Sequence, residues 1–232
     1  MADRRIVESP EWGRLEITVN SRARRIIMRA VHNAIRITVP PHANAKDLEN
    51  ALYRHGSSLK EQQKTLAHET IDTAFTIKGD NFNFNITEYN GTKFILEYRG
   101  NSVTLKCPAG TDYGKKQEWL RQAAKTALKK IAAKVLPARL HELAQEHGLS
   151  YSRCGVRDTR TRWGSCNSKG NISLSIYTAL LPARLMDYIL LHELCHTRHM
   201  NHGPQFWEFL DRLCGTDSKT VRQQLKAFKT TI

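Results

Sequence analysis

The sequence has little that would place it in a disulfide framework or a bilayer. Its five cysteines (Cys107, Cys154, Cys166, Cys195 and Cys214) are odd in number and form no C-x-x-C pair. They fit a reduced compartment better than a set of bridges. Residues 1–8 contain no apolar stretch, which speaks against a secretory signal. The longest apolar runs are cut by Pro182, Arg184 and Asp187, well short of the ~20 residues that cross a membrane. A cytoplasmic protein without a membrane partner is the expectation. No phosphate-cradling glycine loop, G-x-S-x-G elbow or C₂H₂ finger spacing occurs. No internal repeat, low-complexity tract or long linker is visible.

Acidic residues are also scarce. Asp and Glu number 22 against 36 Lys and Arg, a net charge of +14. Such a balance favours polyanions, so a nucleic acid, a nucleotide or an acidic protein segment is an expected partner class. The basic residues are dispersed in three groups: Arg22/Arg24/Arg25, then Arg121/Lys125/Lys129/Lys130/Lys134, then Arg153/Arg157/Arg160/Arg162. The second lies along a helical pattern and is most economically a solvated face. The third is the better placed to meet a ligand, because it leads into Trp163-Gly164-Ser165-Cys166.

At 232 residues the chain can bury a proper core in one or two domains. Alternating apolar residues predict strands around Leu15/Ile17/Val19, residues 26–29 and Ile35/Ile37/Val39, with a turn near His32-Asn33. Asn44 is placed to cap a helix through about His68, weakened in its middle by Gly56-Ser57-Ser58. Short antiparallel strands follow at Phe75/Ile77, Phe82/Phe84/Ile86, Phe94/Leu96/Tyr98 and Val103/Leu105. Residues 114–147 read as helix, bent or restarted at Pro137 and ended by Gly148. A hairpin turned by Asn167-Ser168-Lys169-Gly170 comes next, followed by helices. Grouped strands followed by grouped helices predict an α+β fold rather than a doubly wound sheet. The expected division is a β-rich part over residues 1–110 and a helical catalytic part over 111–232, the latter with a short sheet beside its principal helix.

That helix carries the chemistry. His192-Glu193-Leu194-Cys195-His196 puts two imidazoles four residues apart on one helical face, with a carboxylate beside them. The spacing is that of H-E-x-x-H: two zinc ligands and a general base. Pro182 suits the first turn, and Leu185, Tyr188, Ile189 and Leu191 supply an apolar side. A catalytic zinc needs a third ligand and an open position. His202 is favoured, since Asn201, Gly203 and Pro204 can bend the chain back toward the pair. His199 is the rival; it shares the face with His192 but lies about 10 Å further along the axis.

Arg162-Trp163-Gly164-Ser165-Cys166, Ile172-Ser173-Leu174, Pro182, Asp187-Tyr188, His192–His196, Asn201-His202 and Phe206-Trp207 stand in an order that resembles the YgjP-like metallopeptidase-domain proteins. These are metal-dependent hydrolases related to the SprT-like and WLM zinc proteases. The resemblance is dense over residues 150–212 and weaker toward the N-terminus, at Ser21-Arg22-Ala23-Arg24-Arg25 and Val39-Pro40. It implies a zincin-like catalytic part in which His192, His196 and His202 bind the metal and Glu193 is the catalytic carboxylate. Ser175 stands where the family often has Asn. The His spacing also matches metzincins, but Arg198 occupies their glycine position and no Met-turn follows.

The expected activity is therefore that of a hydrolase using one Zn²⁺, with metal-activated water attacking a peptide bond. A nucleotide or phosphoanhydride hydrolase is the alternative, and a nucleic-acid-associated module with zinc is a third reading. Asp187 is read as a cap or solvent residue and Trp163 as core. Ser165 and Cys166 are read as strand residues beside the metal, and Phe206 and Trp207 as packing for the turn that positions His202.

Overall fold

The structure is a computed structural model and describes residues 4–31, 34–65 and 70–228. The expected turn at His32-Asn33 and the expected helix end at His68 lie outside these residues. The chain divides into two compact units, Met1–Glu69 and Thr70–Ile232. Both mix strands and helices, and the fold is α+β.

The first unit contains β1 (Arg4–Ser9), β2 (Gly13–Val19), β3 (Ile27–Val31), β4 (Ala34–Val39) and α1 (Ala45–Thr65). Its sheet has the order β1-β2-β4-β3. Leu15, Ile35, Ile37 and Val39 form its core with Leu52 and Leu59 of α1. Asn44 caps α1 reciprocally: the Asp47 amide donates to Asn44 Oδ1 at 2.9 Å, and the Asn44 amide donates to Asp47 Oδ2 at 3.0 Å. Gly56 has a packing reason. A Cβ there would lie 2.3 Å from the Trp12 ring, so its bare backbone seats the indole.

The second unit opens with β5 (Thr76–Ile77), β6 (Asn83–Tyr89), β7 (Ile95–Arg99) and β8 (Ser102–Pro108), followed by α2 (Gln117–Glu146). This sheet, β5-β6-β8-β7, repeats the topology of the first. In both, the fourth strand inserts between the second and third, so the central pair is parallel rather than antiparallel as the hairpin spacing predicts. The registers correspond as well. Ile37 faces Ile17 and Met28, while Leu105 faces Ile86 and Leu96. A four-strand-plus-helix repeat is therefore present, although none is visible in the sequence.

The division expected at residue 110 falls inside the second unit, because Phe82, Phe84, Val103 and Leu105 share one core with Leu120, Leu128 and Leu136 of α2. That helix runs on through Pro137, flanked by the fully buried Leu136 and Leu140. At its end Gly148 takes φ +62° and the Leu149 amide donates to the Ala144 carbonyl.

Beyond α2 lie β9 (Arg153–Arg157), β10 (Gly164–Cys166) and β11 (Asn171–Ser175). They form a sheet of order β10-β11-β9, with β10 antiparallel and β9 parallel to β11. After them come α3 (Ala183–Cys195), α4 (Pro204–Cys214) and α5 (Ser218–Ala227). Ser175 caps the short 3₁₀ turn before α3, accepting from the Tyr177 amide and donating to the Thr159 carbonyl at 2.6 Å. Asp187 is neither a cap nor a free solvent residue. Its carboxylate receives both Nε and Nη2 of Arg139 at 3.0 and 2.9 Å, clamping α3 to α2. None of the described helices is long and apolar enough to cross a membrane.

Candidate metal centre

α3 buries Leu190, Leu194 and Cys195 completely, which fixes its rotation and sets His192 and His196 against Phe206 at the edge of that core. The helix stops at Cys195, with His196 as its C-cap residue. Amides of Thr197, Arg198 and His199 close the last turn onto the Leu194 and Cys195 carbonyls. The chain then reverses through Asn201-His202-Gly203, and Pro204 starts α4.

This reversal brings His202 back. Its Nε2 lies 3.1 Å from Nε2 of His192, and the ligand atoms of His192, His196 and His202 all fall within 4.8 Å of one another. His199 does not join them; its ring lies against Phe209 at 5.6 Å. Its carbonyl oxygen has a different part, lying 3.2 Å from His196 Nδ1. A proton on that nitrogen leaves Nε2 of His196 with a free lone pair.

Aromatic packing holds the trio in place. The buried Phe206 ring lies 4.6 to 4.9 Å from each of the three imidazoles. Trp207 stacks on His202 at 5.3 Å and donates its indole N–H to the His202 carbonyl at 3.0 Å. Arg222 of α5 covers the Trp207 ring at 4.5 Å. Phe206 and Trp207 thus position His202, as the sequence suggested; the part played by Arg222 had no local signal.

Burial, reinforced by the neighbouring imidazoles, pushes the pKa of His192 down to about 3. Burial lowers that of His196 too, against the opposing carbonyl of His199. Both rings are therefore neutral near pH 7, the form that binds metal. Burial also drives the Glu193 carboxyl up to about 8, and Arg162 partly offsets this. Its Oε2 is buried without a hydrogen-bond partner. A nearby cation would favour the ionised form.

These residues fit a divalent metal. With Zn–N bonds of ~2.0–2.1 Å, two tetrahedral ligand atoms lie about 3.3 Å apart, close to the His192–His202 separation. The buried, unpartnered carboxylate oxygen beside them lacks only a positive charge or a proton donor.

Gly164 is a contact of Glu193 that strand alternation does not reveal. A Cβ on it would stand 2.6 Å from Glu193 Oε1, so β10 touches the carboxylate through bare backbone. Trp163 is half-buried against the core, and its carbonyl accepts from Thr178 and from the Ser175 amide. Ser165 and Cys166 lie on β10 and outside the histidine cluster. Cys195 is buried, and its thiol is pushed up to about 12, protonated and unsuited to ligation.

The family model of the YgjP-like metallopeptidase domain matches residues 24–228. The chain belongs to the YgjP-like family. As a YgjP-like protein it is a metal-dependent hydrolase of metallopeptidase type. Two solved structures share a local likeness with it. The metallopeptidase zymogen abylysin of Pyrococcus abyssi is 20% identical, with a TM-score of 0.37, over 40% of this chain and 93% of its own. The zymogen jannalysin of Methanocaldococcus jannaschii is 18% identical, with a TM-score of 0.36, over 40% and 94%. Among curated proteins none matches this YgjP-like chain.

Proposed function

We propose that the protein is a zinc peptidase in which His192, His196 and His202 hold the metal and Glu193 moves the proton. The observation that carries this reading is the juxtaposition of three clustered imidazoles with a buried carboxylate oxygen that has no partner. Zinc bound there would supply a Lewis acid, acidifying a water from ~16 toward about 7 and polarising a carbonyl oxygen.

The remaining work belongs to the chain. Glu193 accepts a proton from the water as its oxygen attacks the peptide carbonyl carbon, and delivers it to the amine nitrogen as the C–N bond breaks. Its burial excludes bulk water from that transfer. Gly164 lets the carboxylate lie flush against β10. That strand stands at the edge of its sheet, where its unpaired backbone groups suit an extended polypeptide.

A nucleotide hydrolase is the second reading, favoured by the arginines near β10. Phosphoryl chemistry more often uses Mg²⁺ or paired metals held by carboxylates. Among the described residues, the three-histidine group is the cluster that could hold a metal, and it contains no carboxylate.

The test is turnover by zinc-loaded protein on an unfolded polypeptide and on a nucleoside triphosphate pool. Glu193→Gln is the control and should lose about 10²–10⁴-fold in rate. Polypeptide cleavage that disappears in the variant supports the peptidase. Phosphate release that disappears instead transfers the same site to the phosphohydrolases.

A further inference from the structure

The two faces of the β10-β11-β9 sheet differ sharply in chemistry. Cys166, Ile172 and Cys154 pair across the strands on one face, as do Gly164, Leu174 and Val156, and Ile172 and Leu174 are buried in the core. On the other face, Ser165, Ser173 and Gly155 form a row across all three strands. A Cβ on Gly155 would meet nothing within 4 Å, so the row is a low floor open to solvent.

Arginines stand around that floor. Arg153 and Arg157 flank Gly155 at two residues on either side along β9 and share its face. Arg162 comes from the loop before β10. Together with Ser165, Ser173 and Asn171 they line a cavity of about 630 Å³. None of these three arginines makes an ion pair among the described residues. Arg160, by contrast, is engaged by the Tyr177 hydroxyl and ring. The one carboxylate lining the cavity, Asp158, is already bound by Lys125 at 2.6 Å. The cavity is thus cationic, walled by hydroxyl and amide groups, and uncompensated.

Its position relates it to the metal centre. β10 contributes Gly164 to Glu193 and the next residue, Ser165, to the cavity floor. Arg162 lines the cavity and its charge is felt at Glu193. A chain laid along the β10 edge would send alternate side chains over the serine face. From such a chain to Gly155 is three strand spacings, about 14 Å at ~4.8 Å per strand, a gap that a long acidic side chain and the extended arginine arms close from both ends.

We propose that this cavity is an anion subsite selecting polypeptide substrates that carry Asp or Glu beside the scissile bond. The ligand is a carboxylate side chain of the substrate, received by Arg153, Arg157 and Arg162. The inference rests on the peptidase reading for its polypeptide. One feature favours a peptide over a nucleotide: no aromatic ring lines the cavity to stack a base.

Fluorescence anisotropy at physiological salt tests it, using zinc-loaded Glu193→Gln protein and two labelled peptides of one sequence, with Glu in one and Gln in the other. The Glu peptide is expected to bind at least 10-fold more tightly. Arg153→Ala/Arg157→Ala on that background should abolish the preference while keeping zinc content and thermal unfolding unchanged. Lys129→Ala/Lys134→Ala, which removes the same charge from exposed positions of α2, should keep it. Equal binding of the two peptides, or equal loss in both double variants, overturns the subsite. Displacement of the Glu peptide by a nucleoside triphosphate at far lower concentration than by free glutamate-rich peptide also overturns it, in favour of a phosphate ligand. The preference found in a protein that cleaves no polypeptide would keep the subsite and remove the peptidase reading. Cleavage without the preference would do the reverse.

Discussion

A methyl group on Gly164 would lie 2.6 Å from Glu193 Oε1 and 2.7 Å from its Cγ, so the closest constraint on the proposed base is a residue without a side chain. Gly164→Ala should keep its zinc, since the three atoms nearest that position all belong to Glu193, but should displace the carboxylate and slow peptide cleavage by about 10²-fold. Metal content and turnover of one preparation check both halves; unchanged turnover would mean that Glu193 does not need this seat. His192, Glu193 and His196 could be read from the sequence because helical periodicity alone places them together. Gly164 could not, because its role is set by a helix 29 residues further on. A glycine in a strand pattern is a general sign of close backbone approach, but it does not say what approaches.

At the scale of elements, α3 is tied to α2 by a contact invisible to periodicity. Asp187 looks like a solvent or capping residue, yet it receives both prongs of Arg139 from α2, and Arg139 also reaches Glu142 and Glu146. These groups are partly exposed, so the pair is worth little more than a surface bridge. Asp187→Ala should cost about 1 kcal/mol, lowering the unfolding midpoint by ~2–4 °C. No change in a thermal melt would reduce the clamp to an incidental contact. Strand alternation was legible for the same reason helix periodicity was: each residue reports its own burial. Pairing direction was not legible. The parallel pairs β2–β4 and β6–β8 arise because a later strand inserts between earlier ones, and no local pattern records that. The repeat joining Ile17/Met28/Ile37 to Ile86/Leu96/Leu105 is likewise hidden, since equivalent positions share apolarity rather than identity.

For the molecule as a whole, charge and topology act at different ranges. The excess of +14 raises the local concentration of any acidic ligand, but selection depends on where arginines remain unpaired, which only the fold specifies. The core that supports the metal centre draws on residues 71–225. Residues 70–232 produced alone should therefore fold cooperatively and bind zinc, as judged by circular dichroism and metal analysis. An unfolded product would mean that this core depends on the preceding unit. The expected boundary at residue 110 missed this because a change from strands to helices need not be a change of core. The part of the α3–α4 turn is to gather His202 onto His192 and His196. Its most direct test is the zinc content of purified His202→Ala beside His199→Ala. Loss of zinc in the first with full occupancy in the second is the expected result; full occupancy in the first with loss in the second would make His199, not His202, the third ligand.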